Sequence, residues 1–204
     1  MIKMQMKTWD KSEYGDFQTP LELARRICCW LKEKGVKPDV LVEPTCGQGN
    51  FIVAALETFP SIKTVYGIEI YAPYLTETKK RITVSKNQDV DIKLIQEDVF
   101  RFPFRDIAMK HHGKQILVFG NPPWVTNTGL SVKQSDNLPE KSNIKNVSGI
   151  AAITGKGNFD IGESITLTML KTFAESNGSL AFLMKNSAVK NIVHSPQNFL
   201  FPIA

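Results

Sequence analysis

Six consecutive residues, Phe119-Gly120-Asn121-Pro122-Pro123-Trp124, bring together an amide, two ring-locked prolines and an indole. The apolar run Ile116-Leu117-Val118-Phe119 ahead of the turn predicts a short buried strand, and Gly120 lets the chain leave it tightly. Each proline fixes its own φ and drives the preceding residue into an extended conformation. Asn121 and Pro122 are therefore held stiff, side by side, at the carboxyl end of a strand. The Asn121 side-chain carbonyl and the Pro122 main-chain carbonyl are then available as acceptors, and neither proline contributes an N–H. A flat group bearing an NH2 suits such a place. Accepting both amine hydrogens keeps the nitrogen lone pair out of conjugation and free to attack. The ring can stack on Trp124, a contact worth roughly 1–3 kcal/mol per base. The structural alternative is a strand followed by a Pro-Pro turn with a packing Trp.

Three other predicted strands end in a polar group of the same kind. Asp39 to Glu43 reads as a buried strand, followed by the loop Pro44-Thr45-Cys46-Gly47-Gln48-Gly49-Asn50-Phe51 and a helical pattern from Ile52 to Phe59. Strand, Gly-x-Gly turn and helix make a nucleotide-binding α/β unit. The spacing is not that of a dinucleotide fingerprint, because Ile52 stands at the third glycine position. The acid at Glu43 favours a cationic or amine-bearing ligand over a pyrophosphate. Thr64 to Glu69 forms the second strand, and an acid closing it suits hydrogen bonds to ribose hydroxyls. A helix from Pro73 to about Ile82 leads to a third strand, Asp91 to Ile95, and then to Asp98. Asp98 could accept from the exocyclic amine of an adenine ring. The four polar groups stand at positions 43, 69, 98 and 121, at intervals of 26, 29 and 23 residues. Such intervals fit one β-α unit each. A parallel sheet sets all four strand ends along one edge, where ligands bind in open α/β folds.

The remaining elements support that frame. Thr19 as N-cap, Pro20 at the first helical position and Glu22 closing a capping box predict a helix start. Leu21, Ala24, Ile27, Cys28 and Leu31 recur at helical spacing, and Gly35 ends the helix. Exposed N–H groups at such a helix start could bind a carboxylate. Lys93 with Arg101, Arg105, Lys110, His111, His112 and Lys114 reads as a solvated basic face, the histidine pair included. Residues 125–158 are rich in Ser, Asn, Thr, Gly and Lys and predict a long mobile loop directly after the Pro-Pro turn, either a lid or nucleic-acid-contacting segment or a disordered surface insertion. A helix from Asp160 through Phe173 and a fifth strand, Gly178 to Met184, follow. The expected organisation is a polar lead-in over 1–15, one domain over 16–190 and a trailing tail over 191–204.

Composition bounds the class. A chain of 204 residues can bury one sizeable core. With 42% hydrophobic and 22% charged residues it reads as an ordinary globular protein. No apolar run approaches a membrane span and no signal-peptide core opens the chain, so no membrane partner is expected. The net charge of +5 fits a polyanion partner weakly, since no basic run of five or more appears. Cys28, Cys29 and Cys46 are odd in number and lack C-x-x-C spacing, which argues against a zinc site or a disulfide framework and for a reducing cytoplasm.

Taken together these residues resemble the amino-methylating branch of S-adenosylmethionine-dependent methyltransferases, most closely the DNA adenine-N6 methyltransferases of the gamma arrangement in restriction-modification systems. Phe17-Gln18-Thr19-Pro20 matches the family's first element. Glu43-Pro44-Thr45-Cys46-Gly47-Gln48-Gly49-Asn50-Phe51 matches its glycine loop. Glu69, Asp98 and Asn121-Pro122-Pro123-Trp124 follow in the family's order. The resemblance implies a Rossmann-like class I fold, α/β, with a mostly parallel sheet flanked by helices, and S-adenosyl-L-methionine as cofactor. It implies that Phe17, Thr19 and Pro20 belong to the cofactor site, with the Thr19-Pro20 helix start on the methionine carboxylate. Pro44, Gly47, Gly49 and Phe51 would form the loop under the methionine portion, with Glu43 near its amine. Glu69 would hold the ribose, and Asp98 with Val99 the adenine. Asn121 and Pro122 would hold the target amino group, and Trp124 would stack on that base. Methyl transfer would be direct and in line, without a metal or a covalent enzyme intermediate, on an adenine flipped out of double-stranded DNA.

Trp replaces the commoner Tyr or Phe of the family. The family's last strand pair and its target-recognition domain have no counterpart here. The expectation is a truncated catalytic domain whose recognition part is missing or supplied by a partner chain. Its open edge at the fifth strand would favour self-association. Three other functions share parts of the pattern: methylation of a protein glutamine, methylation of an amino group in structured RNA, and a non-catalytic nucleic-acid-binding relic.

Overall fold

The structure, a computed structural model, describes residues 17–84, 89–124 and 161–193. The lead-in over 1–15, the long loop over 125–158 and most of the tail lie outside the described residues. In chain order the elements are α1 (Leu21–Glu33), β1 (Val40–Glu43), α2 (Asn50–Thr58), β2 (Thr64–Glu69), α3 (Ala72–Val84), β3 (Asp91–Gln96), α4 (Phe104–Lys110), β4 (Ile116–Gly120), α5 (Ile161–Phe173), β5 (Gly178–Phe182) and α6 (Asn186–Val193).

The strands form one sheet in the order β3-β2-β1-β4-β5, every pair parallel. β1 and β4 are buried along their whole length, which is why both read as unbroken apolar runs rather than alternating ones. Side chains still alternate between the two faces. Leu41, Val65, Leu117 and Phe119 join α1 and α2 in one cluster, where Phe51 meets Phe119 edge-on at 4.4 Å. Val40, Val42, Tyr66 and Val118 face the other way, onto α4 and α5. The chain runs outward from β1 to β2 and β3, then crosses back to β4. This reversal leaves a crevice between the carboxyl ends of β1 and β4, where open α/β sheets bind ligands.

Three expectations are corrected. Helix α1 starts at Leu21, with Pro20 at the N-cap and no side-chain cap hydrogen bond. The capping box does not form, because the Thr19 hydroxyl is engaged by Asn121 and Glu22 lies 3.7 Å from Arg25. The 101–114 stretch is not only a solvated basic face. It contains α4, whose Phe104 and Ile107 are buried, a repeat too short to stand out by periodicity. His111 is half-buried there, its Nε2 2.9 Å from the Tyr66 hydroxyl, and burial lowers its pKa. Finally, the chain after β5 does not simply trail off: α6 follows, with Ala188 buried. β5 pairs with β4 on one side and has no second neighbour among the described residues.

The glycine loop depends on two left-handed residues, Gly47 (φ 51°) and Gly49 (φ 76°). Thr78 of α3 seals this turn, donating from Oγ1 to the Gly47 carbonyl at 3.0 Å. A Cβ on Gly49 would collide with the Thr78 side chain and also carry the left-handed penalty of ~1–2 kcal/mol. Gly49→Ala is therefore expected to lower the thermal unfolding midpoint by several degrees, measured by calorimetry. An unchanged midpoint would mean that the loop does not need this backbone conformation.

Candidate functional site

An open cleft lies over the carboxyl ends of β1, β2, β3 and β4. Each strand delivers one of the sequence-predicted polar groups to its lining: Glu43, Glu69, Asp98 and Asn121. Phe17, Thr19, Pro44, Gly47, Phe51 and Val99 line it as well. Pro20, Gly49, Pro122 and Trp124 do not. Gly49 sits beneath the turn against Thr78, and Pro122 is buried. Trp124 is 37% exposed, and its Nε1 donates to the Leu183 carbonyl at 3.4 Å. The Lys185 ammonium donates to the Trp124 carbonyl at 3.1 Å, so Trp124 is tied to the end of β5.

Asn121 is held from one side. Its Nδ2 donates to Thr19 Oγ1 at 3.1 Å and faces the Phe17 carbonyl at 3.5 Å. Its Oδ1 is buried with no hydrogen-bond partner. Leaving such an oxygen unpaired costs about 1–3 kcal/mol, and unpaired buried polar atoms concentrate where a ligand or solvent completes them. The site thus keeps one acceptor in reserve.

Glu43 is the second unfinished group. Its Oε2 is also buried and unpartnered. Burial, and then the neighbouring Glu69 carboxylate, hold its carboxyl well above the usual range. A cation arriving beside it would reverse both effects. Glu69 is already engaged: one oxygen accepts from Gly47 N at 2.9 Å and the other from Tyr71 N at 2.8 Å. It pins the glycine loop to the end of β2. Asp98 Oδ1 accepts from Phe100 N at 2.9 Å, an Asx-type turn that fixes the carboxylate at the cleft wall. Among the described residues no cluster of three His, Cys, Asp or Glu could hold a metal ion, and no helix is long and apolar enough to cross a membrane.

No family model matches the chain. The chain is 44% identical over 188 residues to the Type II methyltransferase M.NspV of Nostoc sp., a match covering 91% of this chain and 38% of that protein. It is 23% identical over 177 residues to the Type II methyltransferase M.VspI of Vibrio sp., covering 87% of this chain and 38% of the relative. The chain therefore spans well under half the length of both. A solved structure of a candidate RNA methyltransferase from Pyrococcus horikoshii superposes with a TM-score of 0.53 at 15% identity, over 93% of this chain and 74% of that one. The fold is that of the Rossmann-like methyltransferases. Within this methyltransferase fold the cleft occupies the crevice expected for a ligand in a parallel α/β sheet.

Several lining residues escape the sequence reading. Ile70 directly follows Glu69, and Phe100 follows Asp98 and Val99. An apolar residue just past each strand-end acid was a visible signal for walls that clasp a flat ring. Tyr74 lines the cleft from the first turn of α3 and carried no such signal. Asn50 was visible only as part of the glycine loop. Its Nδ2 donates to the Thr19 carbonyl at 2.7 Å, and its Oδ1 accepts from Arg81 Nη1 at 2.6 Å. Arg81 also reaches Gln48 Oε1 at 2.9 Å. One guanidinium on α3 thus braces the glycine loop and, through Asn50, the segment before α1, a long-range link that spacing along the chain does not reveal.

Proposed function

We propose that this chain is the cofactor-binding and catalytic part of a restriction-modification DNA methyltransferase that methylates the N6 amino group of a flipped-out adenine. The observation that carries the reading is the Asn121 amide. Its nitrogen is committed to Thr19, and its carbonyl oxygen is buried and unpaired at the edge of a cleft lined by acids. Such an oxygen is completed by an N–H donor, as an exocyclic amine provides. Similarity to the Type II methyltransferases M.NspV and M.VspI supports the assignment.

The residues fit S-adenosylmethionine. Glu43, whose burial raises its carboxyl pKa when no cation is near, would take the methionine ammonium, and its unpaired Oε2 is the atom to do so. The glycine loop gives backbone room beneath the methionine portion. Glu69 would meet the ribose, and Asp98, with Ile70, Val99 and Phe100 as walls, the adenine. When bound, the cofactor supplies a methyl group on a sulfonium, which needs no further activation. Asn121 and Pro122 would accept the hydrogens of the target amine, keeping its lone pair directed at that methyl group. Trp124, tied to β5, would present its exposed indole to the base. Double-stranded DNA is the proposed partner, with sequence recognition contributed by chain beyond this domain, and the edge of β5, which has no second strand among the described residues, is the proposed place of self-association.

Calorimetric titration with S-adenosylmethionine, with NAD as control, tests the cofactor assignment. Binding of the first alone is the expected outcome, and binding of NAD alone overturns it. Nucleoside mass spectrometry of DNA treated with the full-length protein should then show N6-methyladenine. Methyl groups found only on RNA or on glutamine would overturn the substrate.

A further inference from the structure

We infer that Thr19 is a positioning residue for Asn121, setting which end of its amide faces the target. The inference rests on the proposed role of Asn121 and extends it. A side-chain amide can turn end for end, and only one orientation is useful here: the oxygen must face the amine. With the nitrogen there instead, N–H would meet N–H. Two oxygens in the segment before α1 settle the choice. Thr19 Oγ1 accepts from Nδ2 at 3.1 Å, and the Phe17 carbonyl, which can only accept, lies 3.5 Å from the same nitrogen. Turning the amide would set Oδ1 against that carbonyl. The Thr19 hydroxyl alone could adapt to either end; the pair cannot. The cost is an unpaired Oδ1 in the free protein, which the geometry accepts rather than turn the amide.

The support is itself held. Thr19 is only 8% exposed. Its carbonyl accepts from Asn50 Nδ2, and Asn50 is anchored by Arg81. The residues ahead of α1 therefore link the glycine loop to Asn121 across 102 positions of sequence. This also accounts for the uncapped start of α1: the hydroxyl that would have capped the helix is used on Asn121 instead.

The test compares Thr19→Val, which removes the hydroxyl at nearly constant shape, with Thr19→Ser, which keeps it. The first measurement needs no turnover. In nitrogen-15 spectra the Asn121 side-chain NH2 pair is identified by its loss in Asn121→Asp. Thr19→Val is expected to shift this pair and speed its hydrogen exchange by about tenfold or more, whereas Thr19→Ser leaves it in place. The second is single-turnover methyl transfer by the full-length protein. Thr19→Val should slow it by roughly 10²-fold, the scale of a misplaced reacting group, with S-adenosylmethionine affinity falling by less than the rate, since Thr19 itself lines the cleft, and Thr19→Ser restoring both. An NH2 pair that does not move in Thr19→Val overturns the inference. So does a loss confined to cofactor affinity, which would make Thr19 a cofactor ligand only. If the pair moves as expected while wild-type protein methylates no adenine, the positioning stands and the proposed substrate falls.

Discussion

Asn121→Ala is expected to lower methyl transfer by roughly 10²–10³-fold, the range seen when one preorganised polar group is removed from a reacting centre. S-adenosylmethionine affinity should stay close to normal. The expectation follows from the division of labour in the Asn121 side chain. Its nitrogen is engaged with Thr19 and its oxygen is unpaired, so the alanine variant removes the acceptor meant for the target amine. Glu43, Glu69 and Asp98 belong to other strands and keep their places. A uniform loss of binding would instead lower kcat/KM through KM alone, and the separation of the two is the decisive readout. Single-turnover transfer by the full-length protein measures the rate, and calorimetry the affinity. Retained transfer would remove Asn121 from the chemistry. An equal collapse of cofactor binding would make it a cofactor ligand.

The site was largely legible because its parts obey a rule of topology. A parallel sheet gathers the ends of its strands on one edge, so acids and amides recurring one β-α unit apart had to converge if the strands were parallel. Glu43, Glu69, Asp98 and Asn121 do converge on one cleft. What stayed hidden depends on side-chain direction and on contacts distant in sequence. Thr19 read as a helix cap because Thr-Pro followed by Glu22, three residues after the threonine, is good local chemistry for a capping box. The competing partner, Asn121, lies 102 residues away. Trp124 read as a ring for stacking on a base; that its indole N–H also donates to the Leu183 carbonyl at the end of β5 is a contact no local pattern names. The α4 helix was missed because two buried residues, Phe104 and Ile107, make one turn of periodicity among basic neighbours. Arg81, one of many surface cations in the sequence, proves to brace Gln48 and Asn50.

The same cleft predicts a proton released on binding. Glu43 is buried, faces the Glu69 carboxylate, and has its carboxyl held well above the ordinary value of 4.5. In the free protein it therefore carries a proton to higher pH than it would in the unfolded chain. A ligand ammonium beside Oε2 favours the ionised form, so cofactor binding expels that proton at any pH where the free protein still holds it. Affinity should then rise with pH, by up to about tenfold per unit below the free-state pKa, and level off above it. Calorimetry in two buffers of different ionisation enthalpy should register the release in wild-type protein and none in Glu43→Gln. Glu43→Gln should also weaken binding by roughly 10–100-fold, the worth of one hydrogen bond to a charged group. Stability moves the other way. A carboxyl whose pKa is raised by folding destabilises the fold progressively as pH rises above 4.5, because the unfolded chain ionises first. Glu43→Gln is expected to unfold at a higher temperature than wild type near neutral pH, and the gain should shrink as the pH falls toward 4.5. A variant that binds more weakly while unfolding later separates a ligand-directed carboxyl from one kept for structure, since a structural carboxyl would lose both.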